Sequence, residues 1–158
     1  MEARVETPLQ EEIAILLRQS DAVAAALYPG SFRRAIDPAA LAAPGIRLLV
    51  ARIDGRAAGC CALFDRGDGT AEVKRMIVGD AFRRRGVGMA LIAGAEREAI
   101  RLGIGTLLLE VGTRNEEAHA MYRRAGFLPR GAFAPYDATP ISRFLEKRLS
   151  SPSPPPAR

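Results

Sequence analysis

The chain of 158 residues carries 48% hydrophobic and 26% charged residues, few aromatics, no tryptophan and a formal charge of +5. This length holds one ordinary domain that buries its own core without disulfide staples, and the composition is that of a globular protein. There is neither a long apolar run nor a basic-apolar-small signal at the N-terminus, and a soluble, cytoplasmic protein with no membrane partner is expected.

In chain order, Ala-Arg-Val-Glu at 3–6 is a candidate first strand. Leu9, Ile13, Leu16 and Leu17 then recur at helical spacings, with Thr7 as the cap candidate and Pro8 in the first turn, and one or two helices are expected to end near Pro29-Gly30. After a polar connector and the short run DPAALAA, IRLLVARI is rich in strand formers, Asp54-Gly55 is a hairpin turn, and RAAGCCALF is the returning strand. A second turn, DRGDG, leads into TAEVKRMIV, so the three strands are expected to form an antiparallel meander. Cys60 and Cys61 are adjacent inside an apolar run, which suits neither an ordinary bridge to each other nor a metal site. They read as reduced, buried and structural.

The period then changes. Leu91, Ile92, Ala95, Ala99 and Leu102 mark one face of a helix over 86–102, with Gly103 as its stop. GTLLLEV is too apolar for a half-exposed strand and reads as one buried on both faces. NEEAHAMYRRAGF is a second amphipathic helix closed by Gly126, and FLPRGAF and ISRFLEKRL are the last strands. The predicted fold is α/β (α+β): one domain over residues 1–149 built on a mixed, mostly antiparallel sheet flanked by helices, followed by a Pro- and Ser-rich tail over 150–158 expected to be disordered.

The positive charge points to an anionic partner, and much of it is concentrated in Arg83, Arg84 and Arg85, directly before Gly86-Val87-Gly88. A solvated turn is the plainest reading. A nucleic-acid surface calls for basic residues spread along a face with aromatics interleaved, and those are missing, so no nucleic-acid partner is expected. A dinucleotide fingerprint needs a third glycine where Leu91 stands. A pyrophosphate cradle fits: glycines at 86 and 88 permit a tight turn from which backbone N–H groups between Arg84 and Met89 converge at a helix N-terminus.

The segment Arg83-Arg84-Arg85-Gly86-Val87-Gly88, after a β-rich EVKRMIV and at the opening of a helix, resembles the Q/R-x-x-G-x-G/A acetyl-CoA signature of the GCN5-related N-acetyltransferase (GNAT) superfamily. Asn115, Ala118, Tyr122, Gly126 and Phe127 match that superfamily's Asn-x-x-Ala-x-x-hydrophobic-Tyr-x-x-x-Gly-Phe segment in the same order. The element order to about Leu149 is also the superfamily's, and EVKRM with FAPYDATPISRFLEKRL resembles small bacterial members.

The resemblance implies an acetyl-CoA-dependent N-acetyltransferase in which a primary amine attacks the thioester directly, with acetyl-CoA as co-substrate and no metal. It implies that the pantetheine arm lies along Met76, Ile77 and Val78 in a cleft splayed open between EVKRMIV and TLLLEV. Arg83, Arg84, Arg85, Gly86, Val87, Gly88 and Met89 would hold the phosphates, Asn115 would bond the arm, and Tyr122 would place its hydroxyl by the sulfur. Glu72 precedes Arg83 by eleven residues, a spacing similar to that of the catalytic glutamate in histone-modifying members. A cross-strand ion partner is the competing reading of Glu72, core packing that of Tyr122, and Glu110 is the second candidate base.

The acceptor stays open between a small molecule or amino acid and a protein lysine. A CoA-binding module without turnover is the other class. Residues 28–34 and 133–137 would meet the acceptor, with Arg33 and Arg34 as candidate carboxylate partners. Val111 stands where similar members carry a threonine, which removes a hydroxyl expected on the acceptor side. His119, the only histidine, reads as an exposed helix position, and a homodimer is compatible with the fold although no feature establishes one.

Overall fold

The structure, a computed structural model, describes residues 1–29 and 37–150. Among the described residues, seven strands and three α-helices follow in the order β1 (Arg4–Glu6), α1 (Glu11–Leu27), β2 (Ile46–Ile53), β3 (Arg56–Asp65), β4 (Thr70–Val78), α2 (Val87–Arg101), β5 (Thr106–Gly112), α3 (Glu116–Arg124), β6 (Leu128–Arg130) and β7 (Ser142–Arg148). The strands form one sheet in the order β1-β2-β3-β4-β5-β7-β6. All pairings are antiparallel except β4 with β5.

The meander forms as expected, and side-chain alternation divides its residues between two cores. On one face Ile13, Leu16 and Leu17 of α1 pack against Leu48, Val50, Cys60, Ala62 and Ile77. On the other, Leu91, Ile92, Ala95 and Ala99 of α2 meet Leu49, Cys61, Leu63, Leu107 and Leu109. The adjacent cysteines thus point to opposite layers, both free and buried. Burial pushes the Cys60 thiol up to about 12, so it carries no reactive thiolate at neutral pH.

The start of α1 corrects the cap expectation. The helix begins at Glu11 with extended Gln10 before it and no side-chain cap, and Leu9 is 64% exposed. Strand β1 runs to Glu6, so the chain needs residues 7–10 to turn, and Thr7 Oγ1 is used within that turn, accepting from the Leu9 N–H at 3.2 Å. Gln10 turns back to Glu6 and to Arg52, which also pairs with Glu6 and Glu12 and ties α1 to the sheet edge. DPAALAA becomes a 3-10 turn over Pro38–Ala42 capped by Asp37, and only Leu128–Arg130 of FLPRGAF pairs as a strand. The proposed tail from 151 onward and the arginines at 33 and 34 lie outside the described residues.

Two irregularities position the site. Strands β4 and β5 pair at only three rungs, Thr70–Thr106, Ala71–Leu107 and Glu72–Leu108, and then part, while β5 continues along β7 to Gly112. Strand β4 also carries one extra residue against β3 between the Cys60–Ile77 and Ala62–Lys74 pairs, with Arg75 at φ +56°, a bulge that bends it away from β5. Close packing at Gly59 holds the bent end: a Cβ there would sit 2.7 Å from the Ile77 carbonyl oxygen and 2.8 Å from Val87 Cγ1. Gly59→Ala is therefore expected to destabilise the fold by about 1–3 kcal/mol through overpacking, read as a fall in melting temperature. An unchanged melting temperature would mean that β3 and α2 yield more readily than this packing implies.

Candidate active site

The parted strands leave a cleft walled by Lys74, Met76 and Ile77 of β4, Glu110 and Gly112 of β5, Ser20 of α1 and Tyr28 just after it, and Tyr122 of α3. A groove runs on from it to the start of α2, bordered by Val78, Arg83, Arg84, Gly86, Val87, Gly88 and Met89. Met76, Ile77, Asn115 and Ala118 border both, so cleft and groove are continuous.

At the groove end, Gly86 is the N-cap of α2 at φ +78°, with open space where a Cβ would be, and Arg84 is also left-handed at φ +62°. The first bond within the helix is donated by Ala90 N–H to the Gly86 carbonyl, and no side chain caps the turn. The N–H groups of Val87, Gly88 and Met89 therefore face outward at the positive end of the helix dipole. Gly88 passes beneath α3, where a Cβ would overlap the Met121 thioether.

The three arginines diverge. Arg83 lies at the groove and pairs with Asp80 at 3.2 Å, Arg84 borders the groove, and Arg85 does not reach it, its guanidinium lying 5.9 Å from the Phe82 ring centroid. Arg84, between the other two, is the left-handed residue of the turn. Glu117, Met121 and Arg124 border the groove from α3, a set that the sequence reading did not single out although their spacing puts them on one helical face.

Asn115 caps α3, its Oδ1 accepting from the Ala118 N–H at 3.2 Å, which leaves the amide NH2 to donate toward the cleft. Beyond Glu72, β4 has no strand on its β5 side, so the backbone edge at Met76 and Ile77 is open there, while the Val78 carbonyl accepts from Gln19 at 3.0 Å. A cradle that a Cβ would fill and an unpaired strand edge fit a phosphorylated, amide-bearing arm such as that of CoA.

At the other end, Tyr122 is 6% exposed and packs edge-on against Phe127 at 5.6 Å. Its hydroxyl has no hydrogen-bond partner among the described residues, and burial pushes its pKa upward, so it keeps its proton. Glu72 is also only 6% exposed and stands behind the cleft wall, not on it. Its carboxylate accepts from the Tyr136 hydroxyl at 2.9 and 3.1 Å, and the Tyr136 oxygen accepts from Lys74 Nζ at 3.0 Å. Burial pushes the Glu72 carboxyl up, against the pull of Lys74 and the Tyr136 hydrogen bond.

Val111 is 7% exposed in the α2-side core and also borders the cleft, so the wall presents a methyl there where a threonine would offer a hydroxyl. Gly112 matters more: the Tyr28 ring lies where its Cβ would be, and the Tyr28 hydroxyl accepts from the Arg114 N–H at 2.7 Å. His119 is half-buried beside Arg123 and Arg143, away from the cleft, a departure from the exposed position expected for it. Among the described residues no His, Cys, Asp or Glu cluster could hold a metal, and no helix is long and apolar enough to cross a membrane.

Comparison with known proteins agrees with this geometry. Residues 15–127 match the model of the acetyltransferase (GNAT) family. The chain is 41% identical over 145 residues to an IAA acetyltransferase of Azospirillum brasilense, covering 91% of this chain and 95% of the relative. A solved structure from Klebsiella pneumoniae, provisionally assigned as an acyl-CoA N-acyltransferase, superposes with a TM-score of 0.79 at 31% identity, over 94% of this chain and 97% of that one. A nourseothricin acetyltransferase structure is 32% identical with a TM-score of 0.59, over 68% of this chain and 67% of that one. Family model, relatives and cleft concur that this chain belongs to the acetyltransferase (GNAT) family and is an acetyl-CoA-dependent N-acetyltransferase.

Proposed function

We propose that the acceptor is a primary amine of a small molecule and that Glu72 and Tyr122 carry the chemistry. The observation that supports this most is the arrangement at the point where β4 and β5 part. Glu72 occupies the last shared rung, Glu110 lies two residues further along β5, and the unpartnered Tyr122 hydroxyl faces the same gap from α3. The wall of Ser20 in α1 and Tyr28 just after it bounds the cleft, and the relatives are named for IAA and nourseothricin, neither a protein acceptor.

In this reading Arg83, Arg84, the Gly86–Met89 backbone, the Met76–Ile77 edge and Asn115 hold the co-substrate, which supplies an activated acetyl thioester. An alkylammonium of pKa about 10.4 is mostly protonated at neutral pH, and its free base costs about 4–5 kcal/mol to reach. As the nitrogen bonds to the acyl carbon, one of its two protons becomes acidic and passes by way of a water to Glu72 behind the cleft wall, while the carbon–sulfur bond breaks and CoA leaves as the thiolate. Tyr122 keeps its proton by virtue of burial and donates a hydrogen bond to the departing sulfur, whose thiol form has a pKa of about 8.5.

The test is thiol release from acetyl-CoA against a panel of polyamines, amino acids, aminoglycosides and a lysine peptide, using the wild type and Tyr122→Phe. Turnover of a small amine and not the peptide is expected. The variant should lose about 10–100-fold in kcat, the worth of one hydrogen bond to a charged group, with acetyl-CoA affinity nearly unchanged. Turnover of the peptide alone would assign a protein acceptor, and an unaffected kcat would return Tyr122 to core packing.

A further inference from the structure

Tyr136 lies 64 residues from Glu72 in sequence, on the connection between β6 and β7, yet its hydroxyl is the hydrogen-bond partner of both carboxylate oxygens. Its ring is fixed by edge-on packing on Phe133 at 5.4 Å and by Phe144 at 6.2 Å. Lys74, on the same strand and face as Glu72, donates to the phenol oxygen instead of to the carboxylate, and its ammonium lies 5.0 Å from the Phe64 ring centroid. Of these three residues only Lys74 borders the cleft.

We infer that Tyr136 is a positioning residue for acetyl transfer: its hydroxyl orients the Glu72 carboxylate and joins it to Lys74 on the cleft wall. The inference rests on Glu72 being the group that takes the amine's proton. A phenol between ammonium and carboxylate has a chemical consequence. A direct Lys74–Glu72 contact would hold the carboxylate charged and weaken it as a base, whereas the inserted hydroxyl keeps it hydrogen-bonded and sets the full charge one residue further off. The charged and titratable groups facing Glu72 are Lys74 from its own strand, Arg66 from the β3–β4 turn, Glu110 from β5 and Tyr136 itself. Tyr136 is the one whose removal leaves the charge count unchanged.

Tyr136→Phe retains the aromatic packing and removes only the hydroxyl. The experiment is a carboxyl 13C NMR titration of glutamate-labelled wild type and Tyr136→Phe, with Glu72→Gln identifying the resonance, alongside the pH profile of kcat/KM for the best amine of the panel. The Glu72 titration in Tyr136→Phe is expected to move up by about one pH unit, from loss of a charge-assisted hydrogen bond. The acidic limb of kcat/KM should move with it, with acetyl-CoA affinity unchanged. Lys74→Met, which removes the donor behind the phenol, should move both in the same direction.

A Glu72 titration that stays in place, or moves down as Lys74 closes directly onto the carboxylate, overturns the inference whatever happens to the rate. A titration that moves while the kinetic limb does not would mean the phenol tunes Glu72 without serving the reaction, and overturns it too. Wild-type turnover in Glu72→Gln would remove the base assignment itself, and the NMR shift would then survive as a structural coupling alone.

Discussion

Gly86→Val is expected to weaken acetyl-CoA binding by about two orders of magnitude or more, while the protein still folds. Gly86 holds φ +78°, and a β-branched residue there is strained by at least the roughly 1–2 kcal/mol that any L side chain meets in the left-handed region. Space itself is not limiting, since nothing lies within 4 Å of the would-be Cβ. That open space is the groove, so the valine methyls would stand in front of the outward-facing N–H groups of Val87, Gly88 and Met89. Losing two hydrogen bonds to phosphate oxygens at about 1.5–3 kcal/mol each accounts for the expected loss of affinity. The strain should lower the melting temperature by only a few degrees, about 2–4 °C per kcal/mol in a domain of this size. Calorimetric titration with acetyl-CoA checks the first expectation and a thermal melt the second. Arg84→Ala should lose less affinity, and the loss should shrink with added salt, because that charge is exposed. A Gly86→Val protein that binds as the wild type does would place the phosphates elsewhere.

What could be read from the sequence depended on range. The meander, the doubly buried β5 and the helices α2 and α3 each announce themselves within a window of about fifteen residues, by period and by turn chemistry. The groove was legible for the same reason: Gly86, Gly88 and the Asn115–Tyr122 spacing are local features. The start of α1 was misplaced because Thr7 and Pro8 form a good local cap, and the turn demanded by β1 overrides it. Arg85 was grouped with its neighbours because a run of like residues says nothing of the left-handed conformation at Arg84. The Tyr136–Glu72 contact was out of reach for a different reason. FAPYDATPISRFLEKRL, which holds Tyr136, enters the sequence reading only as a resemblance to small bacterial members, and its contact with Glu72 follows from the docking of the β6–β7 connection over β4, which no periodicity encodes.

Glu72→Gln is expected to reduce kcat at neutral pH by about 10²–10⁴-fold, the usual contribution of a positioned general base, and to leave acetyl-CoA affinity nearly unchanged because Glu72 lies outside the groove. The same substitution has a signature in stability. Burial raises the Glu72 carboxyl above its unfolded value, so the folded state favours the protonated form. The stability this contributes is fully present below the unfolded pKa of about 4.3 and is lost as pH rises through the higher native value. Glutamine has no proton to lose. From about pH 4 upward the wild type should therefore lose melting temperature relative to Glu72→Gln, with the difference levelling off above the raised native pKa. A difference that stays constant across that range would mean Glu72 is solvated in solution and is no tuned base. Glu110→Gln is the necessary companion, since Glu110 borders the cleft directly and makes no ion pair among the described residues. Loss of turnover in Glu110→Gln with wild-type turnover in Glu72→Gln would transfer the role to β5. Loss in both, with the melting signature confined to Glu72→Gln, would leave Glu72 as the proton acceptor and Glu110 as the carboxylate that receives the acceptor's ammonium.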